Sequence, residues 1–499
     1  MRTWGPLTAV CLGTFMLLLD VTIAVVALPD MARGLHASLS DLQWVMDGYA
    51  LALAALLLGI GAAADVLGRR RVHVAGVALF AAASLWCGLA TGPGMLVAAR
   101  CVQGVGAAAM FATTLPLLGS VYQGRRRSVA LGVWGAVSGA AAAVGPVLGG
   151  LLTDGPGWRW IFFVNLPVSV AAVALTLRVV PESRAERARR VDVAGTVTFA
   201  GFAGALTYGA VRAGSHGWTE GGTLLAFGLA LLALVCFVVV ERRVADPLLD
   251  PRLFLRPAFA GVMVGAFAFN AAAFSVMAYT SIWLQTLLGM SPVRGGVVFL
   301  WLSLASFVVA AAGGRLLHGV PARLTVGGGL LLIGTGQFCT AVLDAGSTAT
   351  TLVPGLVLVG VGTGLVSPGI AGAALAVVEP ERAGMAGGAV NTFRQLGYAL
   401  GIAVFGTVLT SRMQDALPHD AAHALAGGGA GALRGAFPEH ALRSAFASGL
   451  NAASVAAAVV ALVGGVLVLT LVRAPRGPRG AVTESAPATL KEVTAQPRR

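Results

Sequence analysis

Long apolar runs separated by short polar connections fill the chain, each close to the roughly 20 residues a helix needs to cross the hydrocarbon core of a bilayer. They lie at 8–29, 43–65, 73–91, 95–119, 129–153 and 160–178, then 193–212 and 221–241, then 258–287, 295–314, 324–343, 351–378, 387–411 and 448–472. Barrel-like alternation is absent. The pattern predicts an all-α integral membrane protein of fourteen helices in the order six, two, six. Four regions follow: an N-terminal six-helix bundle (1–178), linkers with two extra helices (179–257), a C-terminal six-helix bundle (258–473) and a tail (474–499) of disordered composition.

Arginine placement orients this pattern. Arg69, Arg70 and Arg71, then Arg125, Arg126 and Arg127, then Arg184, Arg187, Arg189 and Arg190 follow helices two, four and six. Excess positive charge marks cytoplasmic loops, so both termini are expected inside and the 412–447 segment outside. The first run is too long for a cleaved signal and lacks a convincing small-residue cleavage site, so it reads as a retained helix.

Composition agrees and excludes much else. The 499 residues are 57% hydrophobic and 11% charged, with a mean hydropathy of +0.84. The net charge of +13 comes from Arg, since the single Lys is Lys491. A phosphate-cradling loop ending in Lys is therefore missing, and with it an ATP motor. The Arg clusters serve topology, so no nucleic-acid partner is expected. The five cysteines fall in apolar runs without metal spacing, and the histidines are scattered, so neither an enzyme nor a metal site is expected. Sixty-eight glycines suit a bundle whose helices approach closely in lipid.

Charges inside the runs carry the candidate chemistry. Asp20, about twelve residues into an outward-running helix, lies roughly 18 Å from the inner face, and Asp47 and Arg100 lie roughly 22 Å from it at 1.5 Å per residue. Two carboxylates with one permanently charged Arg leave room to hold or release a proton; a buried structural ion pair is the other reading, and Asp47 near the outer interface has a solvated alternative. Gly61-Ala-Ala-Ala-Asp65-Val-Leu-Gly68-Arg69 places a carboxylate at a helix C-terminus, where it needs a partner such as Arg69. That pair reads either as a conformational latch, with Gly61 permitting close approach, or as a topological charge cluster. Gly145-Pro146-Val-Leu-Gly149-Gly150 makes a smooth, bent stripe, for packing or for mechanism. Trp158-Arg159-Trp160 has the form of an interfacial aromatic anchor. Asn391, Arg394 and Gln395 share one helix, lining a cavity unless Arg394 snorkels to the cytoplasm. The cytoplasmic stretch Arg242 to Pro257, which holds Asp246-Pro-Leu-Leu-Asp-Pro-Arg-Leu-Phe, either runs along the membrane surface or is a plain connector.

These residues resemble a known family. Gly61–Arg71 looks like the loop motif of the major facilitator superfamily, Arg100-Cys-Val-Gln103-Gly104-Val-Gly106 like its fourth-helix motif, and Gly145–Gly150 like its fifth-helix antiporter motif. Leu19–Pro29, Gln43-Trp44-Val45, Trp158–Pro167 and Asn391–Gln395 resemble the fourteen-helix drug:proton antiporter branch, so the resemblance spans residues 8 to about 472. Departures are Val25, Val66, Ala141 and, where the loop motif should echo near 313–323, His318.

The resemblance implies the major facilitator fold, two six-helix bundles rocking about a central cavity with two inserted helices, and proton-coupled export of hydrophobic or cationic drugs or antibiotics. It implies Asp20 as the proton carrier with Arg100 as its partner. The implied partners are a small-molecule drug or antibiotic, the proton and the bilayer, with no cofactor beyond the proton gradient and a monomer in the cell membrane. Two other functions stay open: a proton-coupled uptake symporter, and a non-transporting sensor or lipid-handling protein.

Overall fold

Apolar runs rich in Ala, Leu and Val, with proline confined mainly to first turns and a few bends, form helices throughout. The computed structural model describes residues 4–184, 192–245, 247–316, 320–376 and 383–472. Arg187, Arg189, Arg190, Asp246, His318 and the 474–499 tail lie outside the described residues. The helices in order are α1 (Gly5–Leu35), α2 (Leu39–Leu67), α3 (Arg69–Gly88), α4 (Pro93–Val121), α5 (Gly124–Asp154), α6 (Trp160–Phe163), α7 (Asn165–Val179), α8 (Val193–His216) and α9 (Gly221–Arg243). They continue with α10 (Pro257–Phe274), α11 (Val276–Ile282), α12 (Pro292–Leu316), α13 (Ala322–Thr340), α14 (Val353–Ala376), α15 (Ala383–Met413), α16 (His419–Ala426), α17 (Ala430–Leu433) and α18 (Glu439–Leu471). Among the described residues no strand occurs.

Among the described residues twelve stretches are long and apolar enough to cross a membrane, with α6 and α7 joined as one and α10, α11 and the π-helical turn Trp283–Leu287 as another. Two further helices, α5 of 31 residues and α13 of 19, stand at the fifth and eleventh positions that the sequence assigns to spans. Local chemistry sets several starts. Ser38 and Asp41 form a reciprocal capping box on α2, Asp192 caps α8 through the Gly195 amide at 2.7 Å, and Glu220 caps α9 through Thr223.

Helices α1 to α7 pack on one another, as do α10 to α15 with α18. The two groups meet along α2 with α15 and along α5 with α12. Helix α8 lies over the first of these seams, touching both α2 and α15, and carries α9 on its other side. Thr407 of α15 donates to the Ala210 carbonyl at 3.2 Å, and a Cβ on Gly59 of α2 would stand 2.7 Å from Thr196 Oγ1.

Three segments differ from the sequence expectation. The 412–447 stretch is no open loop: α16 and α17 fold there with Ala422, Leu425 and Ala430 buried, and α18 starts at Glu439. Alanine at helical spacing explains this, because it supplies an apolar face that can bury on the bundle. The 247–255 connection tucks inward, burying Leu248, Leu249 and Leu253 around a 3-10 turn at Pro251–Leu255. Trp158 is buried against Gly34 and Phe162, and of that tryptophan pair only Trp160 is exposed.

Candidate functional site

The polar centre of the α1–α7 group is built around Asp20. Arg100 Nη1 of α4 donates to Asp20 Oδ2 at 2.5 Å, and both side chains are sealed from solvent. Gln103, one turn along α4, donates to Asp20 Oδ1 at 2.9 Å and accepts from Arg100 Nη1 at 2.7 Å. Asn165 donates to Oδ1 from the start of α7 at 3.0 Å, and Ser84 of α3 receives both amides. Arg100 Nε donates to the Val45 carbonyl at 3.0 Å, and its guanidinium lies 4.3 Å from the Tyr49 ring centre. The carboxylate thus accepts from three donors on two other helices. A charge pair in so apolar a setting persists only when geometry and added hydrogen bonds offset desolvation.

Asp47 stands apart. It is wholly buried, yet neither carboxylate oxygen has a hydrogen-bond partner and no ion pair joins it to Arg100 among the described residues. The expected three-membered cluster is therefore a pair plus a separate acid: Arg100 is paired with Asp20, and Asp47 on α2 has no polar partner among the described residues. The solvated alternative for Asp47 is excluded by its burial.

Arg394 does not snorkel. Its Nε donates to Asn270 Oδ1 of α10 at 3.2 Å, and its guanidinium sits 5.2 Å from the Phe269 ring centre. Asn391 turns its amide back to the Gly387 carbonyl at 3.1 Å, and Asn391, Arg394 and Gln395 are all half-buried. Arg394 has no carboxylate within ion-pair distance among the described residues.

At the Arg-rich end Asp65 Oδ1 accepts from Arg69 Nε at 2.9 Å, the partner the sequence proposed. Gly68 has φ +113, a backbone that side chains rarely adopt, and this lets the chain turn into α3. Glu182, which the sequence did not single out, accepts from the Arg70 amide at 3.0 Å and so caps α3 with a negative charge. Gly61 has only an ordinary contact, with Ala112 Cβ 3.8 Å from where its Cβ would stand, so close approach at this position is not used here. The tight glycines of that helix are Gly48, against Cys101, and Gly59.

The glycines of α5 are closely used at the opposite end. A Cβ on Gly149 would stand 2.9 Å from the Ile23 carbonyl of α1, and one on Gly150 2.6 Å from the Pro292 carbonyl of α12. Gly145 meets Thr22, and Gly296 of α12 packs directly on the Pro146 carbonyl. Nearby, Gln43 donates to Tyr279 Oη at 3.0 Å and to the Ile402 carbonyl, and Gln285 donates to the Val26 carbonyl at 2.7 Å. These contacts close the Arg-poor end between the two groups of helices.

Residues 10–402 match the model of the Major Facilitator Superfamily. The chain belongs to this superfamily. It is 37% identical over 415 residues, 83% of its own length and 77% of the relative's, to the multidrug resistance protein Stp of Mycobacterium tuberculosis. It is 36% identical over 426 residues to the tetracenomycin C resistance and export protein of Streptomyces glaucescens, covering 84% and 78%. It is 38% identical over 418 residues to the puromycin resistance protein of Streptomyces alboniger, covering 82% of each. Among solved structures, a bacterial homologue of the lysosomal transporter Spinster superposes with a TM-score of 0.63 at 17% identity, covering 93% and 95%. The human organic anion transporter MFSD10 gives 0.63 at 16%, covering 94% and 100%. As a facilitator-superfamily member the chain is a multi-pass membrane transporter, not an enzyme.

Sequence motifs thus pointed to Asp20 and Arg100 but not to what holds them. Gln103 and Asn165 lie inside motifs already noted, and their polarity within apolar runs was the signal. Ser84 carries no such signal, since a hydroxyl in a helix usually bonds its own backbone.

Proposed function

We propose that this chain exports small hydrophobic or cationic drugs or antibiotics from the cell in exchange for protons, by alternating access. The observation that carries the reading is the sealed Asp20–Arg100 pair at 2.5 Å within a membrane helix bundle. A proton arriving at Asp20 converts an acceptor oxygen into a donor, and the contact with Arg100 is lost. That change is large enough to bias a rocking equilibrium, because truncating one partner of a buried pair costs about 3–5 kcal/mol. The names of the relatives, resistance and export proteins for several antibiotics, support the substrate class.

In this reading 1–178 and 258–473 are the two rocking bundles, and fourteen helices with both termini cytoplasmic place the monomer in the cell membrane. Closure of the Arg-poor end by α5 against α12 corresponds to an inward-open state. Asp47 is a second intramembrane acid in the coupling path. Gly61, Asp65, Gly68 and Arg69 form the latch, Gly145, Pro146, Gly149 and Gly150 seal the outer end, and Asn391, Arg394 and Gln395 line the central cavity. The proton gradient supplies the energy.

The test loads cells with a fluorescent drug-like dye and follows its loss. Expressing cells should lose dye faster than controls, and collapsing the proton gradient should abolish the difference. Gradient-driven accumulation would instead identify an uptake symporter. Loss that ignores the gradient would remove proton coupling.

A further inference from the structure

The two inserted helices carry a buried acidic pair that the export reading does not use. Asp192 caps α8, and Glu241 sits in the last turn of α9; they are 7% and 2% exposed. One oxygen of each carboxyl is satisfied: Asp192 Oδ1 accepts from the Gly195 amide at 2.7 Å, and Glu241 Oε2 from the Leu249 amide at 3.1 Å. The other two, Asp192 Oδ2 and Glu241 Oε1, are buried with no donor. Both point into the same gap beside Gly195, where a Cβ would overlap each of them. Both oxygens crowd the one point that Cβ would occupy, which brings the two carboxyl groups side by side.

Two carboxylates so placed repel, and neither finds a cation among the described residues. Among the described residues no Arg or His lies within ion-pair distance of either, and Arg242, Arg243, Arg252 and Arg256 on the packed elements are exposed. Asp250 on the connection turns an oxygen to the Arg252 amide. On α2, Gly59 packs on Thr196 and Asp65 is paired with Arg69. A single proton in the gap satisfies both orphaned oxygens: one carboxyl donates O–H, the other accepts, and one negative charge remains.

We propose that Asp192 and Glu241 together bind one proton at the foot of the two-helix insertion, separate from Asp20, and that this proton clasps the 247–255 connection to α9. The Glu241 oxygen that takes the Leu249 amide belongs to the same carboxyl that shares the proton. Loss of the proton sets two buried charges against each other and frees that amide. Because the connection leads directly into α10, proton occupancy here is transmitted to the first helix of the second bundle. Gly195 is required by this arrangement, as any side chain would fill the gap.

Hydrogen exchange of peptides covering 244–255 tests this in the full-length protein in detergent, across a neutral-to-alkaline series and corrected for base catalysis. Wild type should show a step to exchange at least about tenfold faster as the proton leaves. Glu241→Gln keeps a permanent N–H donor toward Asp192 and should abolish the step without loosening the segment at neutral pH. Asp192→Asn should do the same, so the proposal survives failure of either variant to fold. An infrared carbonyl band of a protonated carboxyl should be present in wild type and diminished in both variants. A flat wild-type profile would overturn the proposal, as would variants that track wild type. Exchange at fixed pH that responds to sodium or potassium would show a metal cation in the gap instead.

Discussion

Asp20 and Arg100, eighty residues apart in sequence, meet with 2.5 Å between carboxylate and guanidinium and no solvent at either side chain. Asn at position 20 would keep the shape and the contacts to Gln103 and Asn165 while removing both the charge and the exchangeable proton. Asp20→Asn is expected to insert normally and to reduce gradient-driven efflux in inverted vesicles to background. Uphill transport at the wild-type rate would dismiss Asp20 as the carrier.

Charge pairing makes a separate prediction for stability. Arg100→Met leaves Asp20 buried without its cation and should destabilise the protein by about 3–5 kcal/mol. Adding Asp20→Asn removes that stranded charge, so the double variant should recover most of the loss in thermal unfolding in detergent. Additive losses would show that Arg100 acts through Tyr49 and Val45 and not through Asp20.

Shape decides the next case. Gly150 lies against the Pro292 carbonyl of α12 with no room for a side chain. Gly150→Leu should prop the Arg-poor end apart, lower disulfide cross-linking between cysteines introduced at positions 147 and 297, and cut transport at least about tenfold. Unchanged cross-linking would mean that this end is not held shut by the glycine stripe.

Outside the spans, His423 of α16 is held below the ordinary histidine range, by burial first and then by His419, whose ring centre is 4.5 Å away. His216 adds to this, while Asp420 and the Gly214 backbone oppose it. The released segment therefore binds the proton more readily than the docked one, and docking is lost as pH falls below the unperturbed value of about 6.5. Exchange of the 414–426 amides should accelerate on acidification in wild type and stay level in His423→Gln. Equal acid responses in the two would exonerate His423.

Topology can be checked directly. A reporter active only in the cytoplasm should work when fused after Arg190 and fail when inserted in 412–447. Activity inside 412–447 would break the fourteen-helix order.

Helix positions were legible because lipid imposes a length and an apolarity that leave little freedom. Asp20, Arg100 and Asp65 were legible because charge in an apolar run is costly and stands out. What could not be read was which charges meet. Asp47 lies at nearly the depth of Arg100, yet depth says nothing of rotation about the helix axis, and Asp47 makes no ion pair with Arg100 among the described residues. The use of Gly59 in place of Gly61 has the same cause, since glycines two apart on a helix face different neighbours. Helices α16 and α17 were missed because runs of four and eight residues are too short to show a period.

Helix α8 is bonded to α15 through Thr407 and packs closely on α2 at Gly59, one contact on either side of the same seam. A cleft between two bundles has two flanks open to the surrounding oil, and here one of them is boarded up from end to end. The other flank, where α5 meets α12, has no inserted helix over it among the described residues. The insertion thereby gives a two-fold architecture a front and a back.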